Sequence, residues 1–236
     1  MEVTQALRAR RSVRAFLPDA PPAATVQTIL QEAAQAASGG NLQPWRVVAL
    51  TGALLQELLA VVAQAQPEEG PDNQSYPPGL WEPYRTRRFA NGEDLYRSIG
   101  IPREDKAGRL QQLAKNAELF GAPVGIFVCV DERMGQPQWA DLGIYLQSLM
   151  LLAVQHGLAT CAQGFWRRYA GTLQQQLGLP EPYRVAFGVA LGYEDAAAPI
   201  NTLRSSRAPW GEWGRCAGSE PEEGPPGPFV GWVLLI

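Results

Sequence analysis

A chain of 236 residues, 46% hydrophobic and 18% charged, carries enough apolar material for one large domain or two small ones. Its net charge of -3 argues against a broad nucleic-acid-binding field, and no apolar run approaches the roughly 20 residues that span a bilayer. Three widely spaced cysteines, Cys129, Cys161 and Cys216, show neither C-x-x-C nor zinc spacing, and Met1 to Gln5 opens no secretory signal, which together fit a reducing cytoplasm.

Thr4 to Arg10 reads as a short first helix with Thr4 as N-cap. In Arg10-Arg11-Ser12-Val13-Arg14-Ala15-Phe16, an extended backbone puts Arg10, Ser12 and Arg14 on one side while Val13 and Phe16 anchor to the core. Two guanidinium groups flanking a hydroxyl suit a phosphate; the alternative is a solvated basic turn. Val26, Ile29, Leu30, Ala33, Ala34 and Ala37 recur at helical spacing, and Ser38-Gly39-Gly40-Asn41-Leu42-Gln43-Pro44-Trp45 lies just beyond. The two glycines close that helix and expose peptide N–H groups, and the amides of Asn41 and Gln43 point the same way on an extended chain. This is either a frame for a flat ligand with polar edges or a capped helix with a polar loop.

Trp45 opens a buried strand, and Gly52 to Gln66 forms an amphipathic helix through Leu54, Leu55, Leu58, Leu59 and Val62. From Pro67 to about Asn91, five prolines break regular structure while Trp81, Tyr84 and Phe89 add aromatic bulk, as in a packed cover over a site. A helix over roughly Arg103 to Phe120 precedes a continuous apolar strand from Pro123 to Asp131. The next helix, with Trp139, Leu142, Leu146, Leu149, Met150 and Ala153 on one face, is apolar nearly all round, and so is buried centrally or in a subunit interface. His156, the only histidine, ends it as a C-terminal cap. A strand from Leu158 to Gln163, a turn at Gly164, a helix over Ala170 to Leu177 and a strand over Arg184 to Leu191 follow. Asn201 to Pro209 is a second basic loop; a Gly/Pro/Glu linker over Gly218 to Pro228 then leads to the apolar run Phe229 to Ile236. Strands alternating with helices indicate a three-layer α/β or α+β domain.

Five stretches in this order resemble the flavin-dependent nitroreductase superfamily, and within it the nitrobenzene-type enzymes. They are RRSVRAF at Arg10 to Phe16, SGGNLQPW at Ser38 to Trp45, FGAPVGIFVCVD at Phe120 to Asp131, WADLGIYLQSLMLLAVQHGLATCAQG at Trp139 to Gly164, and SSRAP at Ser205 to Pro209. The resemblance implies an α+β three-layer fold with a central mixed sheet, an intertwined homodimer, and one FMN at each of two sites across the interface. It divides the chain into an FMN-binding domain over 1–216, with 67–100 as a lid, and a linker and strand over 217–236, which is either exchanged with the partner, folded onto its own subunit or disordered.

Carried over by position, Arg10, Ser12 and Arg207 would hold the FMN phosphate, Arg11 would lie near the ribityl chain, and Arg14 would reach the pyrimidine edge. Ser38, Gly39, Asn41 and Gln43 would come from the other subunit, and Gln163 and Gly164 would approach the flavin N5. Gln163 stands where the family has an acidic residue, Ser205 where it has a lysine, and Trp210 to Trp213 replace its usual segment. The implied reaction is reduction of a small aromatic acceptor, a nitroaromatic or similar planar compound, by NADH or NADPH as a diffusing donor in a ping-pong sequence. Quinone or enone reduction, dehalogenation, flavin cleavage or non-enzymatic flavin binding are the alternatives. Such chemistry needs no protein nucleophile and no metal, in keeping with the absence of a G-x-S-x-G motif and of a G-x-G-x-x-G dinucleotide loop.

Overall fold

The structure, a computed structural model, describes residues 1–68, 70 and 73–216. It forms two compact units, Met1–Arg204 and a second beginning at Ser205. The boundary drawn at residue 216 falls inside the second unit, and the linker and apolar run beyond it lie outside the described residues.

Among the described residues of the first unit, seven α-helices and four strands follow one another as α1 (Val3–Ala9), α2 (Ala23–Ala33), β1 (Arg46–Thr51), α3 (Gly52–Gln64), α4 (Tyr84–Ser98), α5 (Lys106–Ala114), β2 (Val124–Asp131), α6 (Gln136–Gln155), β3 (Ala159–Gln163), α7 (Ala170–Gln176) and β4 (Tyr183–Gly192). The strands lie in the order β1-β2-β4-β3, and all three ladders are antiparallel. Among the described residues, a parallel component enters at the outer edge of β3, where Ser12 bridges Thr160 and the Val13 N–H donates to the Thr160 carbonyl at 3.0 Å.

Alternation along β2 builds the three layers. Val124, Ile126, Val128 and Val130 meet α2 and α6, together with Val26, Ile29, Leu142, Tyr145 and Leu149. Phe127 and Cys129 face the other way, onto Leu55, Leu58 and Val62 of α3, Leu173 of α7 and Trp166. Every residue of β2 is buried, which is why it reads as an unbroken apolar run. A register shift between Val128 and Cys129 inserts Ala186 into β4, so that Ala186 and Val189 reach the same layer.

Four sequence expectations change. Thr4 lies inside α1, whose N-cap is Glu2, with the Glu2 N–H donating to Gln5 Oε1 at 3.2 Å. The proline-rich stretch gives way at Pro83 to the helix α4, because Glu82 accepts from Arg85 Nε (2.7 Å) and from the Thr86 N–H (3.2 Å) and so serves its first turn. The helix expected from Arg103 to Phe120 is instead α5, capped by Asp105 onto the Gly108 N–H, followed by a 3-10 segment over Lys115–Gly121. Leu119 (φ 50) and Phe120 (φ 55) are left-handed there and buried; Leu119 packs where a Cβ on Gly125 would otherwise sit, 2.6 Å from its Cδ1. On α6, Leu142, Tyr145, Leu149 and Ala153 are buried, but Trp139 and Ile144 are 36% and 44% exposed, so burial at the centre of the single chain is ruled out. His156 is the C-cap of α6, as expected, and its backbone N–H donates to Leu152 and Ala153.

In the second unit, a 3-10 turn over Trp210–Glu212 sets the Trp210 and Trp213 rings edge to face at 4.5 Å. Gly214 closes it where a Cβ would clash with the Trp210 ring.

Candidate functional site

Arg10 to Phe16 forms a half-buried strap along the outer edge of β3, pinned at three places. Val13, 1% exposed, is bonded to Thr160 as described. At the far end Phe16 bridges Glu194, and the Leu17 N–H donates to the Tyr193 carbonyl at 2.9 Å. Between them sits Asn201, 5% exposed. Its Oδ1 accepts from the Arg14 N–H at 2.8 Å, and its Nδ2 donates to the carbonyls of Ala15 (2.8 Å) and Asp195 (2.9 Å). The Arg14 guanidinium turns back to the Ser12 carbonyl at 3.2 Å, while Arg11 forms an ion pair with Glu194.

The charges of Arg10 and Arg14 and the Ser12 hydroxyl all bear on Cys161 of β3. Burial pushes the Cys161 thiol up, and the charges of Arg14 and Arg10 and a hydrogen bond from Ser12 act against that shift. Ser12 thus lies against β3, and the charges of Arg10 and Arg14 bear on the same strand.

At the end of β3, Gln163 is 4% exposed and its amide is consumed internally. Nε2 donates to the Asn116 carbonyl (2.9 Å) and Oδ1 (3.1 Å), and Oε1 accepts from Trp166 Nε1 at 3.2 Å. Trp166, fully buried, occupies the space over Gly188, where a Cβ would lie 2.3 Å from its Cδ1. A carboxylate at 163 would face two acceptors on Asn116, so the glutamine suits this pocket physically. What positions 163 and 164 turn outward is backbone, at the start of the 3-10 turn Gly164–Tyr169; a Cβ on Gly164 would lie 3.6 Å from Ser75 Oγ.

The Ser38–Gln43 loop is neither a direct helix stop nor extended. α2 ends five residues earlier, and Gly39–Asn41 form a separate 3-10 turn. Gly40 (φ 58), Asn41 (φ 55) and Gln43 (φ 49) are left-handed, a conformation that two non-glycine residues adopt only when other contacts hold it. The Gln43 N–H donates to Ser38 Oγ (3.0 Å), and its amide folds back onto the Asn41 carbonyl at 3.1 Å. The Gly39 N–H donates to Asp141 Oδ1 on α6 at 3.2 Å. Beyond the loop, Trp45 stacks on Tyr145 of α6 at 5.1 Å.

Arg207 belongs to the second unit, where its guanidinium donates to the carbonyls of Ser205 and Ser206. A cavity of about 290 Å³ lies elsewhere, on the α4–α5 hairpin beside the Arg109–Glu93 ion pair, and is lined by none of the predicted site residues. Among the described residues no cluster of three or more His, Cys, Asp or Glu is placed to hold a metal ion, and no helix is long and apolar enough to cross a membrane.

Three supporting residues escaped the sequence reading. Asn201 heads the second basic loop, where its polarity passed as loop composition. Asn116 sits in a segment read as plain helix. Asp141 was the most detectable, as a lone carboxylate on an otherwise apolar helix.

Comparisons with known proteins bear on the family and the fold. The Nitroreductase family model matches residues 7–193. The 4-nitrobenzoate reductase of Pseudomonas putida is 36% identical over 199 residues, covering 84% of this chain and 88% of that protein. The nitrobenzene nitroreductase of Ectopseudomonas oleovorans is 35% identical over 205 residues, covering 85% and 90%. Among solved structures, the FMN and NADPH-dependent nitroreductase NfnB of sphigopyxis sp. strain HMH superposes with a TM-score of 0.87 at 42% identity, over 92% of this chain and 100% of that one. The BluB-like flavoprotein of Clostridium difficile, at 18% identity and a TM-score of 0.60, shares the fold alone. A family model covering most of the first unit, and relatives matched over more than four-fifths of both chains, make this chain a member of the nitroreductase family.

Proposed function

We propose that this protein is an FMN-dependent oxidoreductase that reduces nitroaromatic compounds with NADPH or NADH. The observation that carries the reading is the placement of Ser12 against β3, with the charges of Arg10 and Arg14 bearing on the same strand, which runs on to the backbone at Gly164. This donor set fits FMN: guanidinium groups and a hydroxyl for a phosphate, a cation for the electron-rich edge of the ring, and a glycine that admits a flat ligand close to backbone.

Bound FMN would supply hydride-transfer chemistry, which leaves binding, orientation and electrostatics to the protein. Arg10, Ser12 and Arg207 would bind the phosphate. Arg11, already paired with Glu194, would sit beside the ribityl chain, and Arg14 would face the pyrimidine edge and favour negative charge there. Ser38, Gly39, Asn41 and Gln43 would line the ring from the second subunit of a homodimer, with the backbone of Gln163 and Gly164 on the near side.

The exposed apolar residues Trp139 and Ile144 on α6, with Val3 and Leu7 on α1, support an interface between copies. Residues 1–216 would form the FMN domain with 67–100 as its cover. The unpaired buried thiols Cys129 and Cys161 accord with a cytoplasmic setting. The relatives named above act on 4-nitrobenzoate and nitrobenzene, so a small nitroarene is the acceptor to try first.

The test is to purify the protein, identify any released flavin, and follow NADPH and NADH oxidation with 4-nitrobenzoate, nitrobenzene and menadione. FMN, nitroarene turnover and parallel double-reciprocal lines are expected, since donor and acceptor would share one face. Failure to bind FMN at any concentration would overturn the reading, and turnover of menadione without nitroarenes would replace the acceptor.

A further inference from the structure

We propose that Asp141 is a positioning residue that fixes the backbone of the Ser38–Gln43 loop and hence the face this loop offers to the cofactor. That the ligand is FMN rests on the functional reading above; the control of the loop does not.

The loop needs such a device. Gly39 through Gln43 are all exposed, so little packing holds them. Asn41 and Gln43 both take left-handed backbone angles that L side chains disfavour, and such residues persist where their surroundings over-determine them. The bonds within the loop, from the Gln43 N–H to Ser38 and from the Gln43 amide to the Asn41 carbonyl, tie it only to itself. Its side-chain tether to the rest of the unit is the Gly39 N–H to Asp141 Oδ1 bond at 3.2 Å, which reaches across 102 residues of sequence.

Asp141 is poorly explained as packing. It is 6% exposed on a helix whose buried neighbours are Leu142, Tyr145 and Leu149, and its Oδ2 is buried without a hydrogen-bond partner in the chain. A buried carboxylate with one oxygen unpartnered is unfavourable, and an apolar side chain would fill the same space without that penalty. What the carboxylate contributes is a charged acceptor aimed at the second residue of the loop, whose N–H it meets at 3.2 Å. It holds Gly39 at the start of the 3-10 turn, and the left-handed run follows from there.

The experiment compares Asp141→Ala and Asp141→Asn with the wild type in the full-length protein, by hydrogen exchange of the peptide over Ser38–Trp45, with the β1 peptide as internal reference, and by FMN titration. Asp141→Ala should speed exchange in the loop and weaken FMN by about ten- to a hundredfold, the range of one lost charge-assisted bond, with β1 unchanged. Asp141→Asn keeps an acceptor for Gly39 and removes the buried charge, so it should hold loop exchange and FMN affinity within about threefold of wild type, with Tm equal or higher. Loop exchange unchanged in Asp141→Ala, or equally fast in both variants, overturns the proposal, as does a loosened loop with FMN affinity intact. If Asp141→Ala fails to fold, the asparagine variant decides by the same limits. A wild type that binds no FMN defeats the functional reading, and loop exchange then settles the role of Asp141 by itself.

Discussion

Asn201→Ala should destabilise the protein by an amount the hydrogen bonds around it set. The substitution leaves the Arg14 N–H without its partner, at a cost of about 1–3 kcal/mol for an unsatisfied buried donor. The two carbonyls fare better. Ala15 keeps the Asp195 N–H at 3.1 Å, and Asp195 keeps the Ala198 N–H at 3.2 Å, so each loses one of two donors. Allowing roughly 0.5 kcal/mol for each brings the total to about 2–4 kcal/mol. At roughly 2–4 °C per kcal/mol for a protein of this size, the apparent Tm should fall by about 5–15 °C. Asn201→Asp should be at least as damaging, because a carboxylate replaces the donor facing both carbonyls. The assay is thermal unfolding by circular dichroism without added flavin. A Tm within about 1 °C of wild type in Asn201→Ala would mean that the strap is held by Val13 and Phe16 alone, and that the Asn201 hydrogen bonds do not pin it.

Two further predictions concern the ligand and the β3 pocket. Arg207→Ala should weaken FMN by about ten- to a hundredfold, the cost of one charge-assisted contact, and an unchanged dissociation constant would remove Arg207 from the site. Gln163→Glu places a carboxyl against the Asn116 acceptors, which should raise its pKa on folding. At low pH the carboxyl is protonated in both states and the variant is near wild type; as pH rises past about 4.3 the unfolded state ionises first and stability is lost progressively. A gap in Tm between variant and wild type that stays flat from about pH 4 to pH 8 would contradict this.

The parts of this fold legible in the sequence were those where burial imposes a period. β2 is buried on both faces, so it reads as an unbroken apolar run, and α6 declares its face through Leu142, Leu149 and Ala153. α4 has no buried residue at all, so there was no periodicity to find. The left-handed pair Leu119–Phe120 sits inside a sequence that favours helix; packing against α3 and β2 overrides propensity there. In the site, the course of the strap was recoverable because Val13 and Phe16 are the apolar residues that anchor it to the core. The direction of Gln163 was not, because it depends on Trp166 and Asn116, brought in from other elements by the fold. Asn201 and Asp141 act on residues more than a hundred positions away, and local pattern carries no record of such contacts.

The course of the strap bears on solubility as well as on binding. β3, with the sequence Ala159-Thr160-Cys161-Ala162-Gln163, is the outermost strand of the sheet and carries no charge. An uncovered edge of that composition is a template for pairing with another chain, and proteins commonly guard such edges with charged or irregular segments. Here the guard is the strap itself: its single bridge at Ser12 and Thr160 occupies the edge, and Arg10, Arg11 and Arg14 flank the bridge with positive charge. Releasing the strap, by heat or by loss of Asn201, would therefore lay bare an aggregation-prone edge, so clouding on heating should begin sooner in Asn201→Ala than its loss of Tm alone accounts for, and adding FMN should delay it by pressing the same segment back onto β3.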